Sequence, residues 1–111
     1  FQTCDLIEAM ADDGIRPSVI RVDGGMVAND WFLQFLADVL DVPVERPENV
    51  ESTVLGAAYQ AGYQAGVVAS PADIANLWQR DALFEPAMQA VQRTRLLEGW
   101  NDAVSRVRAV R

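Results

Sequence analysis

The chain has 111 residues, half of them hydrophobic, which is the size and composition of one soluble globular domain. Its formal net charge of −7 repels phosphate backbones and anionic lipids, so we expect no nucleic-acid partner and no membrane partner. The chain contains no histidine, which excludes histidine-based acid–base catalysis, nucleophile activation and metal binding. Cys4 is the one cysteine and cannot form an intrachain disulfide, so we expect a cytoplasmic protein in which Cys4 is a small buried residue.

The first part of the chain predicts a helix, a strand and a second helix. Residues 1–13 carry apolar side chains at helical spacing, and Gly14 is the predicted stop. Residues 18–22 read as a short buried strand, and the next helix extends over about residues 27–40. The predicted apolar face of that helix consists of Trp31, Phe32, Phe35, Leu36, Val39 and Leu40. Because the first helix begins without a cap or a turn before it, we expect a piece of something longer.

The middle of the chain predicts a second strand and a third helix. Residues 42–45 form the strand, and Pro43 within it indicates an edge strand or a strand start. Ser52 is the predicted N-cap of a helix over residues 52–65, and Gly66 is its predicted stop. The small residues of this helix favour close packing against a sheet or another helix.

The last part of the chain predicts two more helices. Ser70-Pro71 starts a short helix that ends near Trp78, residues 80–86 are extended or loop, and a long helix covers residues 88–110. The arginines of the long helix are interpreted as a solvated face that complements its dipole: Arg93, Arg95, Arg106, Arg108 and Arg111. The order α-β-α-β-α, followed by additional helices, predicts an α/β fold with at most two parallel strands. Such a small sheet leaves edges and apolar surface uncovered, so we expect the chain to self-associate.

The turn between the first strand and the second helix contains the most informative motif, Asp23-Gly24-Gly25. Glycine lacks a Cβ, so the chain can turn tightly and a ligand can approach the backbone. The helix start that follows offers unpaired N–H donors and a partial positive charge. These features are found in nucleotide sites, but on the residues alone a plain turn with two glycines is the favoured interpretation.

Besides this turn, short segments along almost the whole chain form a characteristic pattern: Gln2-Thr3, Asp5, Glu8-Ala9-Met10, Arg21-Val22-Asp23-Gly24-Gly25, Asn29, Gln34-Phe35, Asp38, Val44-Glu45-Arg46-Pro47, Glu51, Thr53, Leu55-Gly56-Ala57-Ala58-Tyr59, Ala61-Gly62, Phe84, Pro86, Arg93 and Gly99-Trp100. With these segments the chain resembles the C-terminal end of the FGGY carbohydrate kinase family, and within it the glycerol kinase branch. Departures from the usual pattern at Asp30-Trp31, Val54, Gln60 and Gln64 leave the exact polyol open. The resemblance implies part of a ribonuclease-H-like domain of the actin/hexokinase-like ATPase superfamily.

The resemblance also implies the site residues. In this family the Gly-Gly turn borders the adenosine of ATP, which assigns Gly25 and Gly24 to the ATP-binding site. Asn29 is expected to hydrogen-bond or approach the adenine, since an amide offers a base both a donor and an acceptor. Asp23 is a weaker candidate, because an aspartate in a turn is commonly a local cap. The alternative for Asn29 is that it only caps the helix.

By the same resemblance, residues 1–111 are the C-terminal part of the family's C-terminal domain, without its upstream strands and without the N-terminal domain. The resemblance implies that the intact kinase uses ATP with Mg²⁺ to phosphorylate glycerol. It also implies that the family's catalytic base and magnesium site lie upstream, so this chain is expected to hold neither cofactor by itself and to be inactive. Two alternatives stay open: a part of another FGGY polyol or sugar kinase, and a non-catalytic interaction module.

Overall fold

The structure, a computed structural model, describes residues 1–109. Its helices are α1 (Gln2–Asp12), α2 (Asp30–Leu40), α3 (Ser52–Gln64), α4 (Pro71–Asn76) and α5 (Ala90–Ala109), its strands are β1 (Ile20–Arg21), β2 (Val44–Pro47) and β3 (Arg80–Phe84), and a 3-10 turn covers Gly25–Ala28. The predicted α/β class is confirmed. The predicted last helix included Val110, and the predicted basic face included Arg111; both residues lie outside the described part.

The sheet has three strands in the order β1-β2-β3. β1 and β2 are parallel, with Ile20 opposite Val44, whereas β2 and β3 are antiparallel, with Val44 opposite Phe84. The sequence predicted the parallel pair but left residues 80–86 without a strand partner, so the mixed sheet corrects that prediction. The interpretation of Pro43 as a strand start is correct, since β2 begins at the next residue. Its edge-strand alternative is wrong, because β2 has a neighbour on both sides.

The hydrophobic core lies between α2 and the sheet. Leu33 and Ala37 of α2 and Val44 of β2 are 0% exposed. The predicted apolar face of α2 is displaced around the helix from the buried face. The prediction omits Leu33 and Ala37 and includes Trp31, which is 72% exposed. Residues spaced three and four apart along one side of a helix share its buried face, and here that side is centred on Leu33.

An aromatic cluster holds α1 and α5 against the outer side of α2. The Phe1 ring stacks on Trp100 at 5.7 Å and meets Phe35 edge-on at 5.7 Å. The Trp100 indole N–H donates to the Asp5 carboxylate at 3.0 Å. Trp31 stacks on Phe35 at 5.3 Å, so its exposed ring extends the cluster. These contacts bring the start of the chain and α5 together across α2.

Asp38 joins the end of α2 to the start of α5. Its Oδ1 accepts the N–H groups of Ala87 at 2.7 Å and Met88 at 3.1 Å, and Gln34 Nε2 at 3.1 Å. Burial raises the pKa of Asp38, but these hydrogen bonds and the Arg93 charge outweigh it, so the pKa lies below its ordinary value of 3.8. Arg93 Nε also donates to the Asp38 carbonyl at 2.9 Å. An ionised carboxylate therefore organises this junction.

Most of the surface of α5 faces solvent, as the basic-face interpretation predicted. Arg106 is 78% exposed and pairs with Asp102 one turn earlier at 2.6 Å. Arg93 is the exception, because its side chain is 17% exposed and pairs with Asp41 at 2.9 Å. Within residues 1–109, no helix has both the length and the apolar character to cross a membrane.

The helices after β2 follow only part of the prediction. Ser70 caps α4 by accepting the Asp73 N–H at 3.2 Å, as expected. Ser52 is not the N-cap of α3, because that position belongs to Glu51, which makes no side-chain cap. No residue of α3 is buried, and a Cβ built on Gly56 meets no atom of residues 1–109 within 4 Å, so most of the small-residue face is uncovered. Gly66 has a φ of +74° after α3, which confirms the predicted stop.

The chain exposes more surface than a compact monomer of its mass. Its accessible area is 8077 Å² at 12.2 kDa, against about 6,100 Å² expected from the size scaling. Its radius of gyration is 17.7 Å, against about 13 Å for a compact chain of this length. The excess includes the uncovered α3 and the outer edges of β1 and β3.

We therefore predict that the 111-residue chain self-associates at micromolar concentration. Strand edges and apolar faces that water solvates poorly favour pairing with a second copy. Sedimentation equilibrium over a dilution series should give a mass that rises with concentration to that of a dimer or more. A constant mass of 12.2 kDa over the whole series would contradict the prediction.

Candidate functional site

The four residues singled out from the sequence lie on one exposed turn at the carboxyl end of β1. Asp23 and Gly24 follow β1, the 3-10 turn begins at Gly25, and Asn29 stands directly before α2. All four are exposed, whereas Val27 between them is 3% exposed and belongs to the core. In open α/β sheets the carboxyl ends of the strands are the usual place for ligands. The buried Val27 fixes the turn to the core, and the other residues face outward.

Gly24 is required by the backbone. Its φ of +87° lies in the left-handed region, where side chains with a Cβ are strained. The Gly24 N–H donates to the Val50 carbonyl at 3.1 Å, and the Gly24 carbonyl accepts the Val27 N–H at 3.2 Å. Gly24 therefore sets the direction of the turn and ties it to the segment that follows β2.

Gly25 is not required by the backbone. It is absent from the residues with positive φ, and a Cβ built on it meets no atom within 4 Å among the described residues. The first N–H groups of a helical turn have no partner within it, and here they belong to Gly25 and Met26. Alanine would fit this position in the free chain, so the fold itself does not explain the glycine. A group that packs against the bare backbone from outside would explain it.

Asn29 caps α2 through its oxygen. Its Oδ1 accepts the Phe32 N–H at 3.0 Å, and its φ of −88° and ψ of 102° are extended. The predicted helix start near residue 27 is therefore wrong: a 3-10 turn ends at Ala28, and α2 starts at Asp30. The cap uses only one end of the carboxamide, which leaves the two donors of Nδ2 for another partner. Capping and ligand binding are thus compatible roles for Asn29.

Arg46, which contacts the same turn from β2, was not predicted as a site residue from the sequence. Arg46 Nη1 donates to the Val27 carbonyl at 2.9 Å and to Asp30 Oδ1 at 2.6 Å. Its Nε donates to Asp81 Oδ2 on β3 at 2.7 Å. Arg46 is part of the Glu-Arg-Pro segment that carries the family resemblance, but nothing in its local pattern links it to a turn seventeen or more positions earlier.

Two cavities lie elsewhere in the described part of the chain. One of about 380 Å³ lies between the end of β2, α3 and α4. In its wall the Arg21 guanidinium carbon lies 4.0 Å from the centre of the Trp78 ring. The other, of about 430 Å³, lies between α1, α2 and α5. None of the four predicted site residues lines either cavity. The turn is an open surface, suited to form one wall of a cleft.

In the part of the chain that the structure describes, no three Cys, Asp or Glu side chains are grouped so that they could hold a metal ion. Asp23 is exposed, and Asp30 is engaged by Arg46. The turn offers backbone donors, a side-chain amide and an open glycine surface, which together suit a neutral, planar polar group.

Comparison with known proteins identifies the family. The model of the FGGY family of carbohydrate kinases, C-terminal domain, matches residues 1–65. The glycerol kinase of Rhodospirillum centenum is 56% identical over 109 residues, which is 98% of this chain. The glycerol kinase of Rhodospirillum rubrum is 57% identical over 108 residues, which is 96% of this chain. The chain spans 22% of the length of each of these two relatives.

Solved structures agree with the sequence comparison. The Plasmodium falciparum glycerol kinase with ADP matches 95% of this chain and 21% of its own, at 33% identity and a TM-score of 0.78. The xylulose kinase of Lactobacillus acidophilus matches 86% of this chain and 20% of its own, at 22% identity and a TM-score of 0.76, which shows a common fold. The predicted partial fold of the actin/hexokinase-like ATPases is confirmed. The chain belongs to the FGGY family of carbohydrate kinases and matches its C-terminal domain.

Proposed function

We propose that residues 1–111 form the C-terminal part of the FGGY C-terminal domain in an ATP-dependent glycerol kinase, and that they supply the adenosine side of its ATP site. The observation that carries the proposal is the open glycine position at Gly25, beside the unused amide donors of Asn29. The relatives named glycerol kinase, at 56% and 57% identity over nearly the whole chain, support glycerol as the substrate.

The charges around the turn favour the adenosine over the phosphates. Asp23 has an exposed carboxylate at the start of the turn, whereas the charge of Asp30 at the other end is compensated by Arg46. A triphosphate is strongly anionic, so the carboxylate of Asp23 disfavours it at this position. A purine and its ribose are uncharged and can pack against a bare glycine backbone while a ring nitrogen accepts from an amide. The phosphates would therefore extend away from the turn, toward residues of the longer kinase.

The role of this chain in the reaction is to bind and orient. Phosphoryl transfer requires an oriented nucleophile and compensation of the charge on the transferred group, which Mg²⁺ supplies when bound with ATP. Binding energy from the non-reacting part of a substrate can be used to align its reacting end. Gly25 and Asn29 contribute in this way, by holding the adenosine at a fixed distance from the transferred phosphate. Cytoplasmic location belongs to the same proposal, as expected for an enzyme that uses ATP.

A substrate panel tests the proposed activity. The longer kinase that contains this segment should phosphorylate glycerol with a kcat/KM at least about a hundredfold above those for xylulose and gluconate. The 111-residue chain, assayed as a control with ATP, Mg²⁺ and glycerol, should give no turnover, since it supplies one side of the ATP site. A preference for xylulose or gluconate would mean that the substrate is not glycerol but that of another FGGY kinase. Failure of the longer protein to bind ATP would support the interaction-module alternative.

A further inference from the structure

The side chain of Arg46 connects the sheet to both ends of the segment that contains Asn29. One nitrogen, Nη1, donates to the Val27 carbonyl at 2.9 Å and to Asp30 Oδ1 at 2.6 Å. Val27 is the third residue of the 3-10 turn, and Asp30 is the first residue of α2. Only Ala28 and Asn29 lie between these two points. Arg46 thus holds the chain two residues before and one residue after Asn29.

Arg46 itself is held rigidly and does not reach outward. Its side chain is 16% exposed, its guanidinium lies 5.6 Å from the centre of the Phe84 ring, and its Nε donates to Asp81 at 2.7 Å. A guanidinium with three directed hydrogen bonds and a ring beneath it has little rotational freedom. The position of the guanidinium is set by β2 and β3, so the sheet determines where the end of the turn lies.

We propose that Arg46 is a positioning residue for nucleotide binding: it places the Asn29 carboxamide and the adjoining 3-10 turn where they meet the adenosine, without touching the nucleotide. The proposal rests on the proposed function of the turn. It adds a residue that neither the sequence motif nor the comparisons assign. Because Arg46 also neutralises Asp30 beside the turn, its loss changes both geometry and charge, and the test separates the two.

The chain offers a matched control on the other side of the same guanidinium. Asp81 pairs with Arg46 as Asp30 does, at 2.7 Å against 2.6 Å, but it lies on β3, away from the turn. If Arg46 only strengthens the fold, Asp30→Asn and Asp81→Asn should both lower the melting temperature and should have equal effects on the KM for ATP. If Arg46 positions the turn, only the change on the turn side should affect ATP.

The experiment measures steady-state kinetics and melting temperature of the longer kinase. We expect Arg46→Met to raise the KM for ATP about tenfold and Asp30→Asn to raise it about threefold, with the KM for glycerol and kcat within about twofold. Asp81→Asn should leave the KM for ATP within about twofold of the parent value, because the Phe84 ring and the hydrogen bond from Nη1 to the Val27 carbonyl still place the guanidinium. Arg46→Lys should raise the KM for ATP by an intermediate factor, since an ammonium keeps the charge but cannot reproduce the directed hydrogen bonds of the guanidinium. The double variant Arg46→Met with Asp30→Asn should stay as weak as Arg46→Met.

Each outcome decides the proposal. Recovery of ATP binding in the double variant would mean that the uncompensated Asp30 charge, and not position, caused the loss. Equal effects of Asp30→Asn and Asp81→Asn on the KM for ATP would reduce Arg46 to a fold-stabilising residue, and this comparison remains valid where Arg46→Met fails to fold. Gly25→Ala, measured in parallel, separates the positioning role of Arg46 from the proposed function of the turn. If it weakens ATP binding and the Arg46 and Asp30 variants do not, the positioning role is wrong and the proposed function stands. If none of them weakens it, both are wrong.

Discussion

Gly25→Ala in the longer kinase should raise the KM for ATP by about tenfold, and Gly25→Val by about a hundredfold, the equivalent of roughly 1.4 and 2.8 kcal/mol. The reason is that the new side chain occupies the open space beside the Gly25 backbone, where a built Cβ meets no atom of the described residues within 4 Å apart from its chain neighbours. The KM for glycerol and the melting temperature should change little, since the substitution meets nothing in the fold. Steady-state kinetics with each substrate varied in turn and thermal unfolding provide the measurements.

Two glycine controls make this result specific. Gly99→Ala adds the same methyl group in open space on α5, far from the turn, and should leave both KM values unchanged. Gly24→Ala forces a Cβ onto a φ of +87° and should lower stability by about 1–2 kcal/mol. Unchanged ATP kinetics for Gly25→Ala and Gly25→Val would mean that no ligand approaches this backbone.

Substitutions of Asn29 should separate its cap from its contact with ATP. Asn29→Ala removes both, and we expect a loss of about 1 kcal/mol of stability together with a rise of up to about a hundredfold in the KM for ATP. Asn29→Ser and Asn29→Asp retain an oxygen that can accept the Phe32 N–H, so stability should stay close to that of the parent. Both lack the amide donors, and the KM for ATP should still rise about tenfold.

The comparison of Asn29→Ser with Asn29→Ala is the decisive one for this residue. If Asn29 only caps α2, the serine variant should match the parent in melting temperature and in ATP kinetics. A KM for ATP that follows melting temperature across the three variants would remove Asn29 from the site. A KM that rises in all three, with stability lost only in the alanine variant, would establish the contact.

The local elements of the fold could be predicted from the sequence, and the tertiary relations could not. Ser70 and Gly66 mark an N-cap and a helix stop, because caps and positive φ depend on neighbouring residues. Residues 80–86 were predicted as extended or loop, but the pairing of β3 with β2 was not predicted, because it joins residues more than thirty positions apart, such as Val44 and Phe84. The buried face predicted for α2 was displaced around the helix toward its aromatic residues. Trp31 and Phe35 form a lateral cluster with α1 and α5 instead of facing the sheet, and spacing alone does not reveal this.

The same division holds at the candidate site. Gly24, Gly25 and Asn29 follow one another along the chain, so their proximity could be predicted from the motif. That Gly24 serves the backbone whereas Gly25 does not could only be learned from φ values and open space. Arg46 lies on another strand, and its contact with the turn depends on the parallel pairing of β1 with β2. The uncovered face of α3 likewise shows that a stripe of small residues does not identify its partner.

A crystal structure of the longer kinase with ADP tests most directly whether this turn forms the adenosine side of the site. We predict that the adenine lies against the Gly25 backbone and that Asn29 Nδ2 donates to the base at about 2.7–3.2 Å, while Asn29 Oδ1 still accepts the Phe32 N–H. The phosphates should extend away from Asp23. An adenosine bound elsewhere, with Gly25 and Asn29 free of contact with it, would contradict the account.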